Sequence, residues 1–175
     1  MVAATQASER VKAPGAQAAA LRAALGQFAT GVTIVTTATP EGQRVGLTAN
    51  SFTSVSLDPP LVLWSLSKRS ASLQIFRSAP HFAVNVLSAS QQDLCDRFAQ
   101  RTQTDRFEGV ALAHSDHGLP VIDGALACFE CSTYAQYEAG DHVVFLGRVE
   151  RHRARDGDAL IFRAGRMLSS AALSN

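Results

Sequence analysis

Two clusters of small hydroxyl and amide side chains have the residue types in this sequence best suited to bind a ligand. The first runs from Thr48 to Ser56, begins Thr48-Ala49-Asn50-Ser51, and contains no charged residue. Small side chains let a ligand approach the backbone, and hydroxyl and amide groups can hydrogen bond a planar heterocycle or a phosphate. This segment is therefore the first candidate ligand-binding site.

The second cluster lies between the end of a predicted strand and the start of a predicted helix. Its hydroxyl candidates are Ser65, Ser67, Ser70 and Ser72, and Lys68 and Arg69 lie among them. Helix N-termini present unpaired N–H groups and the positive end of the helix dipole, so anions bind there readily. Two interpretations stay open: a phosphate-binding site, or a capped helix preceded by ordinary turn serines.

Among the histidines, His142 has the position best suited to chemistry, because the turn Gly140-Asp141-His142 opens a predicted strand. A histidine there can donate a hydrogen bond or exchange a proton near neutral pH, and it equally fits an ordinary surface turn. The segment His114-Ser115-Asp116-His117 has the spacing of metal ligands, but the sequence offers no evident further ligand beside it. We therefore expect no metal site.

The cysteines indicate packing rather than redox chemistry or metal binding. Cys128-Phe129-Glu130-Cys131 has C-x-x-C spacing but lies in a predicted strand, where residues three apart point to opposite faces. A redox pair needs a helix N-terminus, and a zinc site needs a second ligand pair that Cys95 alone does not supply. Three cysteines in total also argue against a disulfide framework and favour a reducing compartment, so we expect a cytoplasmic protein.

Other common catalytic frames are missing from the sequence. It contains no G-x-S-x-G, which disfavours the serine hydrolases that use this turn, and neither a P-loop nor G-x-G-x-x-G. Any nucleotide site must therefore be built in another way.

Length and charge limit the classes of protein further. The 175 residues carry a formal net charge of +1, which suits one globular domain and disfavours nucleic-acid binding driven by phosphate attraction. No apolar run reaches the ~18 residues of a membrane span, and the start of the chain has no apolar core of a signal peptide. We expect residues 1–15 to form a disordered tail and residues 16–170 a single domain without membrane contact.

The elements that must position these residues are mostly strands. Apolar residues at Ala18, Leu21, Leu25 and Phe28 predict one helix face that ends before Gly31. Two further short helices are predicted near 70–77 and 90–100, a polar loop over 101–124, and a small-residue tail after Gly165. Strands are predicted over 32–37, from 44, and over 61–66, 81–87, 126–137, 142–152 and 159–163. This hairpin-like succession favours a mainly β protein, a closed antiparallel barrel with a few short peripheral helices.

Several motifs, taken together and in order, resemble the short-chain flavin reductase family, the reductase components of two-component flavin monooxygenases. They span roughly Phe28 to Met167. The matching segments are Phe28-Ala29-Thr30-Gly31-Val32-Thr33-Ile34-Val35-Thr36, the run from Gly46 through Asp58-Pro59-Pro60 to Val62, Phe82-Ala83-Val84-Asn85-Val86-Leu87, Asp105-Arg106-Phe107, Gly140-Asp141-His142 and Gly147-Arg148-Val149.

The resemblance implies an FMN-binding split barrel that forms a homodimer, with flavin bound near the subunit interface. It implies reduction of FMN or FAD by NADH or NADPH, after which reduced flavin diffuses to a separate oxygenase. An electron-transfer or flavin-carrier protein that does not use NAD(P)H is the alternative, and a non-catalytic barrel acting as an interaction module is a third possibility.

The resemblance also assigns residues to parts of the site. Thr48, Ala49, Asn50 and Ser51 would line the isoalloxazine and ribityl region, and His142 would lie near the nicotinamide. Ser65, Ser67, Ser70 and Ser72 would hold the phosphate end, together with Arg106. One departure is that Gly165-Arg166-Met167 stands where relatives often place an aromatic residue after the last strand.

Overall fold

Extended segments rich in β-branched and aromatic residues form most of the fold. A computed structural model describes residues 14–100 and 105–173 of the chain. The strands are β1 Thr30–Gly31, β2 Thr33–Ala38, β3 Arg44–Ala49, β4 Thr53–Leu57, β5 Pro60–Ser67, β6 His81–Val86, β7 Leu112–Ala113, β8 Val121–Ile122, β9 Ala127–Ala139, β10 His142–Ala154, β11 Leu160–Arg163 and β12 Arg166–Ser169. The α-helices are α1 Pro14–Leu25, α2 Leu73–Ser78 and α3 Gln92–Ala99, with 3₁₀ turns at Ala89–Gln91 and Ser170–Leu173.

One antiparallel sheet of seven strands dominates, in the order β3-β2-β6-β9-β10-β5-β4. Its two edge strands, β3 and β4, are consecutive in the chain and joined by only residues 50–52, so the sheet must curl until its edges approach each other. A three-stranded sheet, β1-β11-β12, and the pair β7-β8 complete the strands of the described residues. The prediction of an antiparallel split barrel with short peripheral helices is confirmed.

The barrel interior is filled by aromatic side chains. Trp64 on β5 is fully buried and stacks on Phe145 of β10, with ring centroids 4.7 Å apart. The edge contacts of Trp64 are with Phe76 of α2 at 5.0 Å and Phe82 of β6 at 5.8 Å. Such pairs each contribute roughly 0.5–1.5 kcal/mol beyond simple burial, so this cluster fixes β5, β6 and β10 against one another.

The cysteines lie where the strand periodicity predicts. Cys131 packs in the barrel core with Trp64, whereas Cys128 packs on the other side of β9 with Leu119 and Val121. All three cysteines are free and buried. Burial raises the pKa of the Cys128 thiol to about 11 and that of Cys131 to about 12.

The ends of α1 and of the final sheet differ from the sequence prediction. Helix α1 ends at Leu25 rather than after Phe28, because Gly26 already closes the last turn by donating its N–H to the Arg22 carbonyl. A further strand, β12, replaces the predicted small-residue tail. The turn before it uses Ala164 and Gly165 at φ of 50° and 78°, a two-residue hairpin without the usual Asn-Gly signal.

The predicted loop over 101–124 is more structured than its composition indicates. Residues 101–104 lie outside the described residues, but Leu119, Val121 and Ile122 are buried and Ser115 bonds the buried Glu130 carboxylate at 2.5 Å. The tail prediction for residues 1–15 falls almost entirely outside the described residues, and Pro14 and Gly15 begin α1. Within the described ranges, no helix has both the length and the apolar character needed to cross a membrane.

Candidate functional site

Three neighbouring cavities share lining residues, and together they are here called the groove. The large chamber, of about 1070 Å³, shares Asn50 and Phe162 with a middle cavity of about 210 Å³. The middle cavity shares Thr48 with a third cavity of about 240 Å³, here called the hydroxyl end. Small-molecule sites commonly occupy ~300–1,000 Å³, so the chamber has room for a large heterocycle and a second ring beside it.

The large chamber is built by segments distant in sequence. Arg22, Leu25 and Phe28 contribute from α1 and the residues after it, Thr30 from β1, and His142 from the start of β10. The Thr30 hydroxyl oxygen is buried and has no hydrogen-bond partner among the described residues. A buried hydroxyl without a partner is costly, so this part of the wall suits a ligand that offers a polar atom.

The segment after β3 presents alternate side chains to the groove. Thr48 and Asn50 line it, while Ala49 between them points into the barrel core. The Thr48 hydroxyl donates to the Cys95 carbonyl of α3 at 2.7 Å, and the Thr33 hydroxyl donates to the Ala49 carbonyl at 2.7 Å. These bonds hold the segment in place and leave its Asn50 amide exposed.

Ser51 has a structural task as well as a position in the chamber. The Ser65 N–H donates to the Ser51 hydroxyl at 2.9 Å, and that hydroxyl donates to the Ser65 carbonyl at 3.3 Å. The serine therefore ties the link between the two edge strands to the backbone of β5. Of the residues predicted for the site, Ala49 and Ser65 do not line the groove.

The hydroxyl end gathers serines on the turn before α2. Ser67, Ser70 and Ser72 all line it. The Arg69 N–H donates to the Ser67 hydroxyl and the Ser72 N–H to the Ser70 hydroxyl, each at 3.3 Å. A hydroxyl that accepts a backbone N–H keeps its own hydrogen free, so both serines can still donate to an anion. Ser72 occupies the N-cap position of α2 without a side-chain capping bond.

Two arginines reach the hydroxyl end, but the neighbouring lysine does not. Arg69 and Arg106 line it, whereas the Lys68 ammonium lies 2.6 Å from the Glu138 carboxylate. Arg106 donates to the Gly46 carbonyl at 2.8 Å and also to the Gln100 carbonyl, which fixes its guanidinium in place. Arg69 and Arg106, rather than Lys68, therefore provide the positive charge at the hydroxyl end.

His142 is held in one orientation by its neighbour. Its Nδ1 lies 2.7 Å from the Asp141 carboxylate, and this hydrogen bond holds the pKa of Asp141 below its usual range. An ionised carboxylate only accepts hydrogen bonds, so Nδ1 carries a proton and Nε2 is the atom left for other partners. Across β10 and β5, His142 pairs with Ser67, which brings the histidine beside the hydroxyl end.

Sequence reasoning missed several lining residues. Phe162 of β11 and Met167 of β12 form the apolar wall of the middle cavity, and Arg22 adds a cation at the chamber. Phe28 and Thr30 lie inside a motif that the resemblance used, but no role in ligand binding was predicted for them. None of the described residues lining the three cavities is acidic, so the groove carries Arg22, Arg69 and Arg106 without compensating lining carboxylates.

Comparison with known proteins gives this groove its context. Residues 25–170 match the family model of the flavin reductase like domain. The chain belongs to the flavin reductase family. The prediction from the sequence motifs, a flavin reductase with a split-barrel fold, is therefore confirmed.

Relatives of this flavin reductase agree in sequence and in structure. It is 49% identical over 159 residues to FMN reductase (NADH) SmoA of Agrobacterium fabrum, covering 90% of each chain. Nitrilotriacetate monooxygenase component B from Mycobacterium thermoresistibile superposes with a TM-score of 0.87 at 37% identity, covering 93% of this chain and 92% of the other. The Streptomyces globisporus NADH:FAD oxidoreductase SgcE6, solved with NAD and FAD fragments, gives 0.82 at 38% identity, covering 91% and 96%.

Proposed function

We propose that this flavin reductase oxidises NADH or NADPH, reduces free FMN or FAD in the groove, and releases the reduced flavin to a separate oxygenase. The observation that carries the proposal is the groove itself, in which a chamber of about 1070 Å³ is linked by shared lining residues, through the middle cavity, to a serine and arginine end. The similarity to enzymes named as NADH-dependent FMN and FAD reductases supports the choice of substrates.

The residues present fit a flavin nucleotide. The unpartnered Thr30 hydroxyl and the exposed Asn50 amide offer polar contacts to a heterocycle beside the apolar wall of Phe162. Ser67, Ser70 and Ser72, with Arg69 and Arg106, offer donors to a phosphate at the far end. When bound, flavin accepts a hydride at N5 from the nicotinamide C4, provided that the two rings lie face to face.

The chain contributes orientation and electrostatics to this transfer. Backbone N–H groups of the 48–51 segment are fixed by the Thr48, Thr33 and Ser51 hydrogen bonds, so they can stabilise negative charge with little rearrangement. The Nδ1 of His142 is held by Asp141, so its Nε2 would be the atom that hydrogen bonds the amide group of a bound nicotinamide. No general base is required, so we assign His142 to positioning of the nicotinamide.

We further propose a homodimer whose interface includes α1. Leu21, Leu25 and Phe28 are 59%, 64% and 76% exposed, an unusual concentration of apolar surface for one helix and the residues that follow it. Because Leu25 and Phe28 also border the chamber, a partner subunit seated there would cover the site from solvent. The matched relative named as component B of a monooxygenase supports a further partner, an oxygenase that receives reduced flavin.

Steady-state oxidation of NADH and NADPH, each with no flavin, FMN and FAD in turn, tests the proposal. We expect oxidation to increase with added free flavin and to be slow without it. Flavin retained through desalting, with no NAD(P)H oxidation, would instead identify a flavin carrier. The three buried free thiols are consistent with a cytoplasmic location, which we propose and which cell fractionation tests.

A further inference from the structure

Two histidines and a glutamate from three separate elements meet outside the groove. His81 is the first residue of β6, His117 lies in the connection between β7 and β8, and Glu150 lies on β10. Glu150 Oε2 is 3.1 Å from His117 Nε2 and 3.9 Å from His81 Nε2, and the three ligand atoms all lie within 4.8 Å of one another. None of the three residues lines the groove.

The sheet register explains why these side chains converge. His81 pairs with Ser132 across β6 and β9, and Ser132 pairs with Arg148 across β9 and β10. The ladder of β9 and β10 is irregular between Val149 and Arg151, so Glu150 stands at the irregularity. The connection carrying His117 completes the cluster.

We propose that His81, His117 and Glu150 form a binding site for a divalent transition-metal ion, of which Zn²⁺ is the best match. Two imidazole nitrogens and one carboxylate oxygen are ligands that zinc accepts, with bonds of about 2.0–2.2 Å. In tetrahedral coordination at those bond lengths, neighbouring ligand atoms are roughly 3.3–3.5 Å apart. This value lies between the distances from Glu150 Oε2 to His117 Nε2, 3.1 Å, and to His81 Nε2, 3.9 Å. Water would complete the coordination, since each side chain is 29–36% exposed.

One adjustment is needed for the ion to bind. The rings of His81 and His117 are stacked, with centroids 4.1 Å apart and planes at 14° to each other. The nitrogen lone pairs of the two rings are therefore nearly parallel and do not point to one shared ion. A shared ion requires one ring to tilt until the lone pairs converge. His117 is the ring free to do so, because it lies on an exposed turn followed by Gly118 rather than in a strand.

The ion would tie the 114–120 segment to the sheet. This segment carries Leu119, which covers Ala83 and Cys128 on the outer side of β6 and β9. Because the folded chain alone assembles the three ligands, zinc binding stabilises the folded state by mass action. The role assigned is therefore structural, and zinc is expected to leave NADH oxidation unchanged.

Calorimetric titration of the untagged full chain with ZnCl₂, after removal of metals by a chelator, tests the site. We expect one zinc per chain and a melting temperature that rises with zinc concentration. His81→Ala, His117→Ala and Glu150→Gln should each weaken zinc binding by about tenfold or more, because each removes one of three protein ligands. The matched control is His114→Ala, which removes an imidazole from the same connection but not from the cluster.

Two results would overturn the proposal. One is a wild-type chain that binds no zinc in the micromolar to millimolar range, in which case the two imidazoles only share the Glu150 carboxylate. The other is equal loss of zinc binding in His114→Ala, or none in the three ligand variants, either of which would place the ion elsewhere. Thermal unfolding of every variant without zinc confirms that each one folds.

Discussion

Hydroxyl groups in this groove differ in how much of their hydrogen-bonding capacity remains available to a ligand. Ser51 both donates to and accepts from the backbone of Ser65, so its hydrogen-bonding capacity is largely used within the protein. Ser67 and Ser70 only accept from backbone N–H groups and keep their own hydrogens for a ligand. The serines of the two clusters therefore differ in role: Ser51 holds the site together, whereas Ser67 and Ser70 can bind a ligand within it.

His142→Ala should raise the KM for NADH about fivefold, the effect of losing one hydrogen bond of ~1 kcal/mol, while flavin affinity stays nearly the same. The reason is that Asp141 holds the ring so that only Nε2 faces other partners. Steady-state kinetics together with a flavin titration measure both quantities. His152→Ala, an exposed histidine further along β10, serves as the control. Unaltered kinetics in His142→Ala would refute the positioning role.

The buried thiols should resist alkylation in the folded protein. Burial raises the pKa of Cys95, and raises those of Cys128 and Cys131 to about 11 and about 12. A raised pKa keeps the thiol protonated at neutral pH, and only the thiolate reacts readily. We expect almost no labelling of the native chain and labelling of all 3 cysteines in guanidinium chloride, measured by mass spectrometry. Rapid native labelling of Cys131 would contradict the packing role assigned to it.

At the scale of elements, strands were predictable where apolar and β-branched residues are dense. The apolar run Leu61-Val62-Leu63-Trp64 marked β5, but its sequence does not show which side chains are buried, and the structure buries Val62, Trp64 and Leu66 more than the residues between them. The turn before β12 was not predictable, because an Ala-Gly hairpin lacks the usual residue signal. The 105–124 segment was misjudged because its few apolar residues are buried by contacts with distant strands rather than by local periodicity.

Only part of the groove could be predicted, because local sequence motifs mark some of its lining residues and not others. The 48–51 and 65–72 segments carry local motifs, and most of the residues predicted from them line the groove. Arg22 and Phe162 reach the groove only because α1 and β11 meet there, and no local pattern marks such a meeting. The His81, His117 and Glu150 cluster was invisible for the same reason, since its ligands are 36 and 33 positions apart.

Gly147→Ala should destabilise the barrel by roughly 1–3 kcal/mol, the usual cost of overpacking a core. A Cβ at Gly147 on β10 would lie 2.4 Å from the Phe82 ring and 2.9 Å from the Cys131 Cβ. Denaturant unfolding followed by the fluorescence of Trp64, the only tryptophan, measures the loss. Gly31→Ala on β1 is the matched control, because nothing lies within 4 Å of its added Cβ. Equal stability of the two variants would contradict the close packing of β10 on β6.

At the scale of the whole molecule, the site is an open groove rather than an enclosed cavity. Its large chamber is bordered by α1, whose described side chains are all exposed. A helix with this little contact to its own subunit gains its stability from elsewhere, since most helical stability in proteins comes from tertiary packing. A second subunit is the proposed source of that packing.

Replacing Leu21 and Leu25 together by serine should therefore shift the chain from dimer to monomer and raise the KM for flavin. The dimer would lose two apolar side chains that are exposed in one subunit alone. Analytical ultracentrifugation over a range of protein concentrations measures the association. The double replacement of Ala16 and Ala19 by serine, two exposed residues on the same helix outside that apolar face, keeps both leucines and is the control. A leucine variant that associates like the wild type would place the interface elsewhere.

The arginines of the groove, with no carboxylate among its described lining residues, affect how fast the substrate is captured. The chain as a whole is nearly neutral, so any attraction of an anion comes from Arg22, Arg69 and Arg106 acting at short range. At ~0.15 M ionic strength charges are screened over about 8 Å, and added salt shortens that reach. The capture of FMN, judged by kcat/KM, should therefore slow as potassium chloride is added, whereas riboflavin, which lacks the phosphate, should be captured at a rate almost indifferent to salt.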